Sequence, residues 1–296
     1  MIQNIYRTVV PIGIRRIIGA ARDKKTKENI IRFLKRQIKN GNTDYQEILQ
    51  FFENTDAVRI VFPYDFTKNY TAASVSVCHD ETGFPYVLHK GRKLYGKQAW
   101  NDEEFAEYYT SLLLEQDASS PHRYLSPERM PLPNSIIADV GGAEGIFTLE
   151  IIDSAKKSYI FECDQEWISA MRITFKSEIE QGKVEIVDAF VGDIDDAKTK
   201  TITLDTFFKD KQVDYVKADI EGAEEAMLMG GGIVFREKIR QSLLCLYHKQ
   251  SSEQDITAFL KELAFKVQVN DGYMLWWGKS LKPPYFRHGV VYAIKE

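Results

Sequence analysis

The chain has 296 residues, 44% of them hydrophobic and 28% charged, with a formal net charge of −4, a composition that suits a globular protein with a full core rather than a disordered or collagenous one. No apolar run reaches the ~20 residues of a membrane-spanning helix, and no signal-peptide pattern opens the chain. Cys78, Cys163 and Cys245 are few, odd in number and far apart, which excludes a disulfide framework or a paired-cysteine metal site and fits a reducing, cytoplasmic setting.

Charge is unevenly spread. Met1 to Lys39 carries eleven Lys and Arg against two acids, Asp23 and Glu28. Residues 1–45 are predicted to form a basic amphipathic helical arm, with Ile12, Ile14, Ile17 and Ile18, then Ile30, Ile31, Phe33, Leu34 and Ile38, among basic side chains. Such an arm either packs one face on the protein or lies peripherally on an anionic membrane surface. Asn40-Gly41-Asn42 breaks it, and Thr43 or Asp44 is expected to cap a helix running to Phe52.

Residues 46–130 are expected to form a small β-containing cap. Strand-like pieces fall at Ala57–Phe62, Ser74–Cys78 and Tyr86–Leu88, and a further turn and strand at Gly91–Gly96. Asp102–Glu115 is a predicted helix with Phe105, Tyr108, Tyr109, Leu112 and Leu113 on its apolar side. A polar, proline-broken stretch follows, rich in ionisable groups: Glu115, Asp117, His122 and Arg123.

From residue 131 to 296 the pattern alternates between strands and helices. Strands are expected at 136–140, 157–161, 184–187, 213–218 and 242–247, with apolar tail runs at 265–269, 273–277 and 290–294. This is the signature of a mostly parallel, doubly wound α/β sheet. Its first strand ends in Asp139-Val140-Gly141-Gly142-Ala143-Glu144-Gly145. Glycines let the backbone approach a ligand, and α/β sheets bind ligands beyond the carboxyl ends of their strands. Ala143 stands where a dinucleotide fingerprint needs glycine. An acid two residues ahead of the first glycine suits an amino-bearing or cationic ligand such as S-adenosylmethionine.

Glu162 ends the second strand and is placed for ribose hydroxyls; Asp188 ends the third and could meet an adenine amino group. Asp219-Ile220-Glu221-Gly222-Ala223-Glu224 follows the fourth strand. Asp219 should point into the cleft, whereas Glu221 and Glu224 suit helix capping and site support about equally. His248 ends the next strand and is either the base that takes a proton from an alcohol or a partner of Asp219 in holding a divalent ion. Trp276, Trp277, Tyr285 and Phe286 suit core or lid packing or contact with sugar rings.

Five segments together resemble the FkbM-type methyltransferases in order and spacing: Asp139 to Gly145, Phe161 to Asp164, Thr203 to Phe207, Lys217 to Glu224, and Tyr247-His248. The resemblance spans about residues 135 to 295. Glu115-Gln116-Asp117 and Ser120 to Tyr124 look like an upstream motif of one branch. It implies a class I methyltransferase (Rossmann-like) fold, with seven strands and one antiparallel near the end. It also implies S-adenosylmethionine as donor and O-methylation of a sugar in a surface glycan, glycolipid or related natural product. Carried over, Asp139, Gly141, Gly145 and Glu162 would bind the donor, to which the reading of the bend and the third strand adds Gly142, Ala143, Glu144 and Asp188. Asp219 and His248 would face the acceptor, with Glu115, Asp117, His122, Arg123 and Glu221 around it. A small-molecule or glycan acceptor is expected and nucleic acid is not; a homodimer stays open. A nicotinamide-dependent oxidoreductase and a non-catalytic glycan- or membrane-binding protein remain the alternatives.

Overall fold

A computed structural model describes residues 12–57, 60–275 and 281–295. The chain divides into two compact units: Met1–Thr67 with Met274–Phe286, and Lys68–Tyr273 with Arg287–Glu296. No helix among the described residues is long and apolar enough to cross a membrane.

In the first unit, helix α1 spans Ile12–Lys39. The side chains of Ile12, Ile14, Ile17 and Ile18 lie outside the described set. Ile30 and Leu34, one turn apart, are fully buried, as are Ile48 and Phe52 of α2 (Gln46–Glu53). The cap before α2 differs from expectation. Asn42, not Thr43 or Asp44, accepts the Asp44 N–H at 3.2 Å and starts a 3-10 turn at Thr43–Tyr45. Ile60–Phe62 is irregular rather than a strand. Pro63 lacks the N–H a ladder needs; the Val61 carbonyl accepts the Leu275 N–H, and the Phe62 carbonyl accepts the Tyr64 N–H in a local turn. Trp276 and Trp277 lie outside the described residues.

The second unit begins with the cap. Of the expected strand Ser74–Cys78 only Cys78 is extended into one; Ser74 N–H and Oγ both turn back to the Thr71 carbonyl in a 3-10 turn. Three short strands follow as an antiparallel meander: β1 (Cys78–His79), β2 (Pro85–His89) and β3 (Arg92–Tyr95). Lys90 and Gly91, both at positive φ (51° and 83°), make the two-residue turn between β2 and β3. Helix α3 (Asp102–Glu115) begins and ends where the sequence places it. Its start is fixed by a reciprocal box: Asn101 Oδ1 accepts the Glu104 N–H and Glu104 Oε2 accepts the Asn101 N–H, each at 3.0 Å.

Seven strands form the main sheet: β4 (Ile136–Val140), β5 (Lys157–Glu162), β6 (Val184–Asp188), β7 (Tyr215–Ala218), β8 (Gln241–Cys245), β9 (Lys266–Val269) and β10 (Val290–Ile294). Their spatial order is β9-β10-β8-β7-β4-β5-β6, with β10 antiparallel to both neighbours. The pairs from β8 through β7, β4 and β5 to β6 are all parallel. This is the class I methyltransferase arrangement that the resemblance implies. The expected strand ends at Tyr247 moves back to Cys245: Leu246 N–H is taken by the Gly289 carbonyl, and Tyr247 turns toward Asp219.

Helices α4 (Ile146–Ile151), α5 (Gln165–Thr174), α8 (Glu224–Met229) and α10 (Ser252–Glu262) lie in the connections; α6 (Lys176–Glu180), α7 (Leu204–Phe207) and α9 (Gly232–Glu237) are single turns or little more. The core packs the faces of β4, β5, β7 and β8 against them, with Val140, Phe161, Val216, Leu244, Phe208, Phe235 and Leu260 buried. Because Val140 pairs with Ala218 and Ala218 with Leu244, the chain leaves three neighbouring strands at one sheet edge. Gly141, Asp219 and the Leu246–His248 segment all emerge there.

Truncating Asn101 to Ala should remove the side-chain half of the α3 box, the acceptor of the Glu104 N–H, while the residue-101 N–H can still reach Glu104. A stability loss of about 1 kcal/mol is expected in urea denaturation, with α3 nearest the affected end of the cap.

Candidate functional site

The bend after β4 is shaped by close backbone contacts. Gly141 has φ +75°, and a Cβ there would lie 2.0 Å from the Asp219 carbonyl oxygen; at Gly142 a Cβ would lie 2.2 Å from Ile160 Cγ2. Both N–H groups are held by the Phe161 carbonyl, at 3.0 and 3.1 Å. No side chain fits at either position, so the bend is pressed onto β5 and β7. Gly145, with φ +90°, caps α4.

Beneath the bend lies a buried ion pair. Lys217, in the middle of β7, is 3% exposed and Asp139 is 0% exposed. Lys217 Nζ stands 3.1 Å from Asp139 Oδ1 and donates to the Gly141 carbonyl at 2.7 Å. Thr148 Oγ1 donates to Asp139 Oδ2 at 2.8 Å. Burial lowers the Lys217 pKa, but Asp139 and then Asp219 outweigh it and leave it raised. Asp139, predicted to contact the donor, is instead occupied by its own chain and supports the bend from below.

Above the bend is a cavity of about 240 Å³. Its floor is Gly141, Gly142, Ala143 and Glu144; α3 supplies Tyr108, Ser111, Leu112 and Glu115; Lys217, Asp219, Glu221, Tyr124 and Tyr247 complete it. Glu144 is buried and accepts the Tyr108 hydroxyl at 2.5 Å, which ties α3 to the bend. Burial raises the Glu144 pKa against the pull of that hydrogen bond. Glu115 faces the cavity with its nearest charged partner, His122, 4.0 Å away. Loss of solvent pushes its carboxyl up to about 7, His122 pulling it down and Asp219 and Glu144 pushing further up.

Asp219 is the most contacted group. Tyr124 donates to its Oδ2 at 2.6 Å and Tyr247 to its Oδ1 at 3.0 Å. His122 Nε2 is 3.4 Å from Oδ2 and His248 Nε2 is 3.5 Å from Oδ1. Burial alone would raise its pKa; the hydrogen bond and charge of His122, then Lys217 and His248, outweigh burial and hold it well below the usual carboxylate range. Asp219 therefore stays ionised.

His248 is placed differently from the expectation. Its side chain is 3% exposed and is not in the cavity wall. Nδ1 lies 2.9 Å from Glu224 Oε1, and Nε2 faces Asp219 and Glu221, the latter at 3.6 Å. Burial lowers its pKa, but the Glu224 hydrogen bond and the charges of Asp219, Glu224 and Glu221 leave it raised. Glu224 also accepts the Ile220 N–H at 3.1 Å and is fully buried, so it supports the site rather than only capping a helix.

The remaining predicted residues divide clearly. Gly141, Gly142, Ala143, Glu144, Glu115, Asp219 and Glu221 come together at the cavity. Glu162 sits at the rim of the bend: Oε2 accepts the Ala143 N–H at 2.9 Å, and Oε1 accepts the N–H groups of Cys163 and Asp164 at 2.7 and 2.8 Å. His122 is buried behind Asp219. Asp188 is paired with Lys200 at 2.7 Å, and Asp117 accepts the Tyr70 hydroxyl at 2.5 Å; neither lines the cavity, nor does Arg123. Lys217, Tyr108, Tyr124 and Tyr247 were not singled out as site residues from sequence. A lysine inside an otherwise apolar strand was the signal for the first, since a buried ammonium needs a partner.

Two groups of side chains have metal-like spacing: His122, Asp219 and Cys245, and Asp219, Glu224 and His248. The Cys245 thiol is buried, and burial pushes its pKa well up. In the second group His248 Nδ1 and Glu224 are already bonded to each other.

Residues 168–267 match the methyltransferase FkbM domain. The FkbM match takes in Lys217, Asp219, Glu221, Glu224, Tyr247 and His248, and stops short of the glycine bend. No curated protein sequence matches the chain. Among solved structures it is similar to the methyltransferase FkbM from Methylobacillus flagellatus KT, at 13% identity over 65% of this chain and 53% of that one, with TM-score 0.43. The precorrin-6y C5,15-methyltransferase from Geobacter metallireducens GS-15 aligns at 15% identity over 56% of this chain and 82% of that one, TM-score 0.39. Magnesium protoporphyrin IX methyltransferase from Synechocystis PCC 6803, with bound S-adenosylmethionine, aligns at 12% identity over 55% and 71%, TM-score 0.36. The chain thus spans about half the length of the FkbM structure.

Lys217→Met should leave Asp139 buried without a counter-charge and cost about 3–5 kcal/mol in denaturant unfolding. Adding Asp139→Asn should restore part of that loss. Additive losses in the double variant would show that the two side chains do not act as a pair.

Proposed function

We propose that this protein is an S-adenosylmethionine-dependent O-methyltransferase whose acceptor is a hydroxyl, with a sugar as the favoured class. One observation carries the reading: the cavity over the glycine bend is lined by Glu115, Glu144, Asp219 and Glu221 against a single ammonium, Lys217, itself paired with Asp139. Such a lining attracts a sulfonium and an amino group and repels a pyrophosphate. That disfavours a nicotinamide dinucleotide, as does Ala143 in the bend.

The donor lies along Gly141–Glu144, with its ribose at Glu162. Three N–H groups orient that carboxylate, leaving further lone-pair directions for the ribose hydroxyls. The acceptor hydroxyl enters beside α3. Its oxygen forms a bond to the methyl carbon as the carbon–sulfur bond breaks, the electron pair staying on sulfur as a neutral thioether. The hydroxyl proton passes to Glu115. His248 is a poorer base: it is walled off behind Asp219, and the surrounding acids favour its protonated form. Glu115 instead faces the cavity with a pKa of about 7, near the value that suits a base at neutral pH. His248 and His122 act as positioning residues that hold Asp219, and Asp219 fixes Tyr124 and Tyr247 at the acceptor side. Most of the rate gain comes from alignment and exclusion of water under α3.

Calorimetric titration with S-adenosylhomocysteine tests the donor site. Glu162→Ala should weaken binding at least about tenfold, or 1.4 kcal/mol; unchanged affinity would overturn the ribose assignment. Glu115→Gln should keep that affinity while turnover on a panel of methyl glycosides falls roughly 10²–10⁴-fold. Glu115 accepts the proton only when ionised, so wild-type turnover should rise with pH through about 7. This limb should vanish in Glu115→Gln; a limb that persists would move the base elsewhere.

A further inference from the structure

The first unit holds a second cavity, of about 570 Å³, that the methyl-transfer reading does not use. Its wall is formed by α1 and the Pro283–Tyr285 segment. Two observations set it apart from an ordinary solvated helix face.

The first is charge. Arg32 and Arg36 stand one helical turn apart on the cavity wall, with Asn29 and Gln37 beside them. Like charges at this spacing repel by a few tenths of a kcal/mol. No Asp or Glu lines the cavity. Among the described residues neither arginine is in an ion pair; the contact of Arg32 is Asn29 Oδ1 at 3.5 Å. Lys35, on the same helix, is by contrast neutralised by Glu53 at 2.8 Å. Arg32 and Arg36 thus share the cavity without an acid beside either of them.

The second is the opposite wall. Tyr45 and Tyr285 are 6% and 9% exposed and frame Phe33, whose ring meets them edge-on at 6.1 and 5.3 Å. The rings are held by one another and by Phe286, so the apolar wall is preformed. Two planar guanidinium forks match phosphate oxygens in pairs, and a rigid aromatic wall beside them takes an apolar group at low entropic cost.

We propose that this cavity binds a phosphate ester of an apolar alcohol, the phosphate between Arg32 and Arg36 and the apolar chain along Phe33, Tyr45 and Tyr285. A membrane phospholipid and a soluble phosphorylated molecule both offer this chemistry. The site is independent of the methyl-transfer reading and is tested without turnover.

The full chain would be titrated calorimetrically with decyl phosphate and with inorganic phosphate, and floated with vesicles of phosphatidylglycerol or phosphatidylcholine. Decyl phosphate should bind, at least tenfold more tightly than inorganic phosphate. Arg32→Gln/Arg36→Gln should weaken it tenfold or more, whereas Lys24→Gln/Lys25→Gln, which removes the same charge from exposed positions on α1, should not. Phosphatidylglycerol vesicles that carry the wild type and release the arginine variant identify a lipid headgroup. Decyl phosphate binding without vesicle binding identifies a soluble ligand. No binding of decyl phosphate, equal losses in the two double variants, or equal affinity for the two phosphates would overturn the proposal. Circular dichroism of both variants shows that they are folded.

Discussion

Everything at the ligand edge of the sheet depends on the pairing of Lys217 with Asp139. A lysine side chain at 3% exposure and an aspartate at 0% are tolerable only together. Their contact does more than neutralise charge. It bridges the adjacent strands β4 and β7, and the same ammonium reaches the Gly141 carbonyl. The first residue of the bend is thereby held from below, while the Phe161 carbonyl holds the next N–H groups from the side. The glycines are needed because these contacts leave no room for a Cβ.

A second layer of electrostatics is arranged around Asp219. Two tyrosine hydroxyls and two imidazoles converge on one carboxylate, which stays ionised despite burial. These groups come from two stretches of chain: His122 and Tyr124 from the connection after α3, Tyr247 and His248 from the end of β8. A single acid thus stitches the cap connection to the sheet. Glu115, at the end of α3, meets this cluster through the more distant His122, which leaves its carboxylate facing the cavity. The two acids differ in protonation because Asp219 is surrounded by donors, whereas Glu115 is surrounded mainly by lost solvent and other acids.

The sheet was legible from sequence because buried parallel strands are short apolar runs separated by helices, and β4 and β10 begin and end where those runs do. The glycine bend was legible because few other sequences permit it. The cap strands were less so, since Ser74 and Pro63 impose local hydrogen-bonding preferences that outweigh the β-prone residues near them. Within the site, position along the chain pointed to Asp219 and Glu115, which line the cavity, but could not tell which of the other candidate side chains face it. His248 ends beside the right strand, yet its ring turns toward Glu224, an acid six residues past the end of β7. Asp139 has the right type for an amino-bearing ligand, yet Lys217 already supplies the amino group. Such internal pairings are long-range choices that spacing does not encode. The FkbM match covers the Asp219 and His248 segments and not the bend, so the bend is the part of the account that rests most fully on geometry.

The most direct measurement is a crystal structure of the protein soaked with S-adenosylhomocysteine. The account expects the nucleoside along Gly141–Glu144 under α3, its ribose hydroxyls on Glu162 and its sulfur turned toward Glu115 and Asp219. A bend without the nucleoside while it binds elsewhere on the chain, or a ribose away from Glu162, would contradict it.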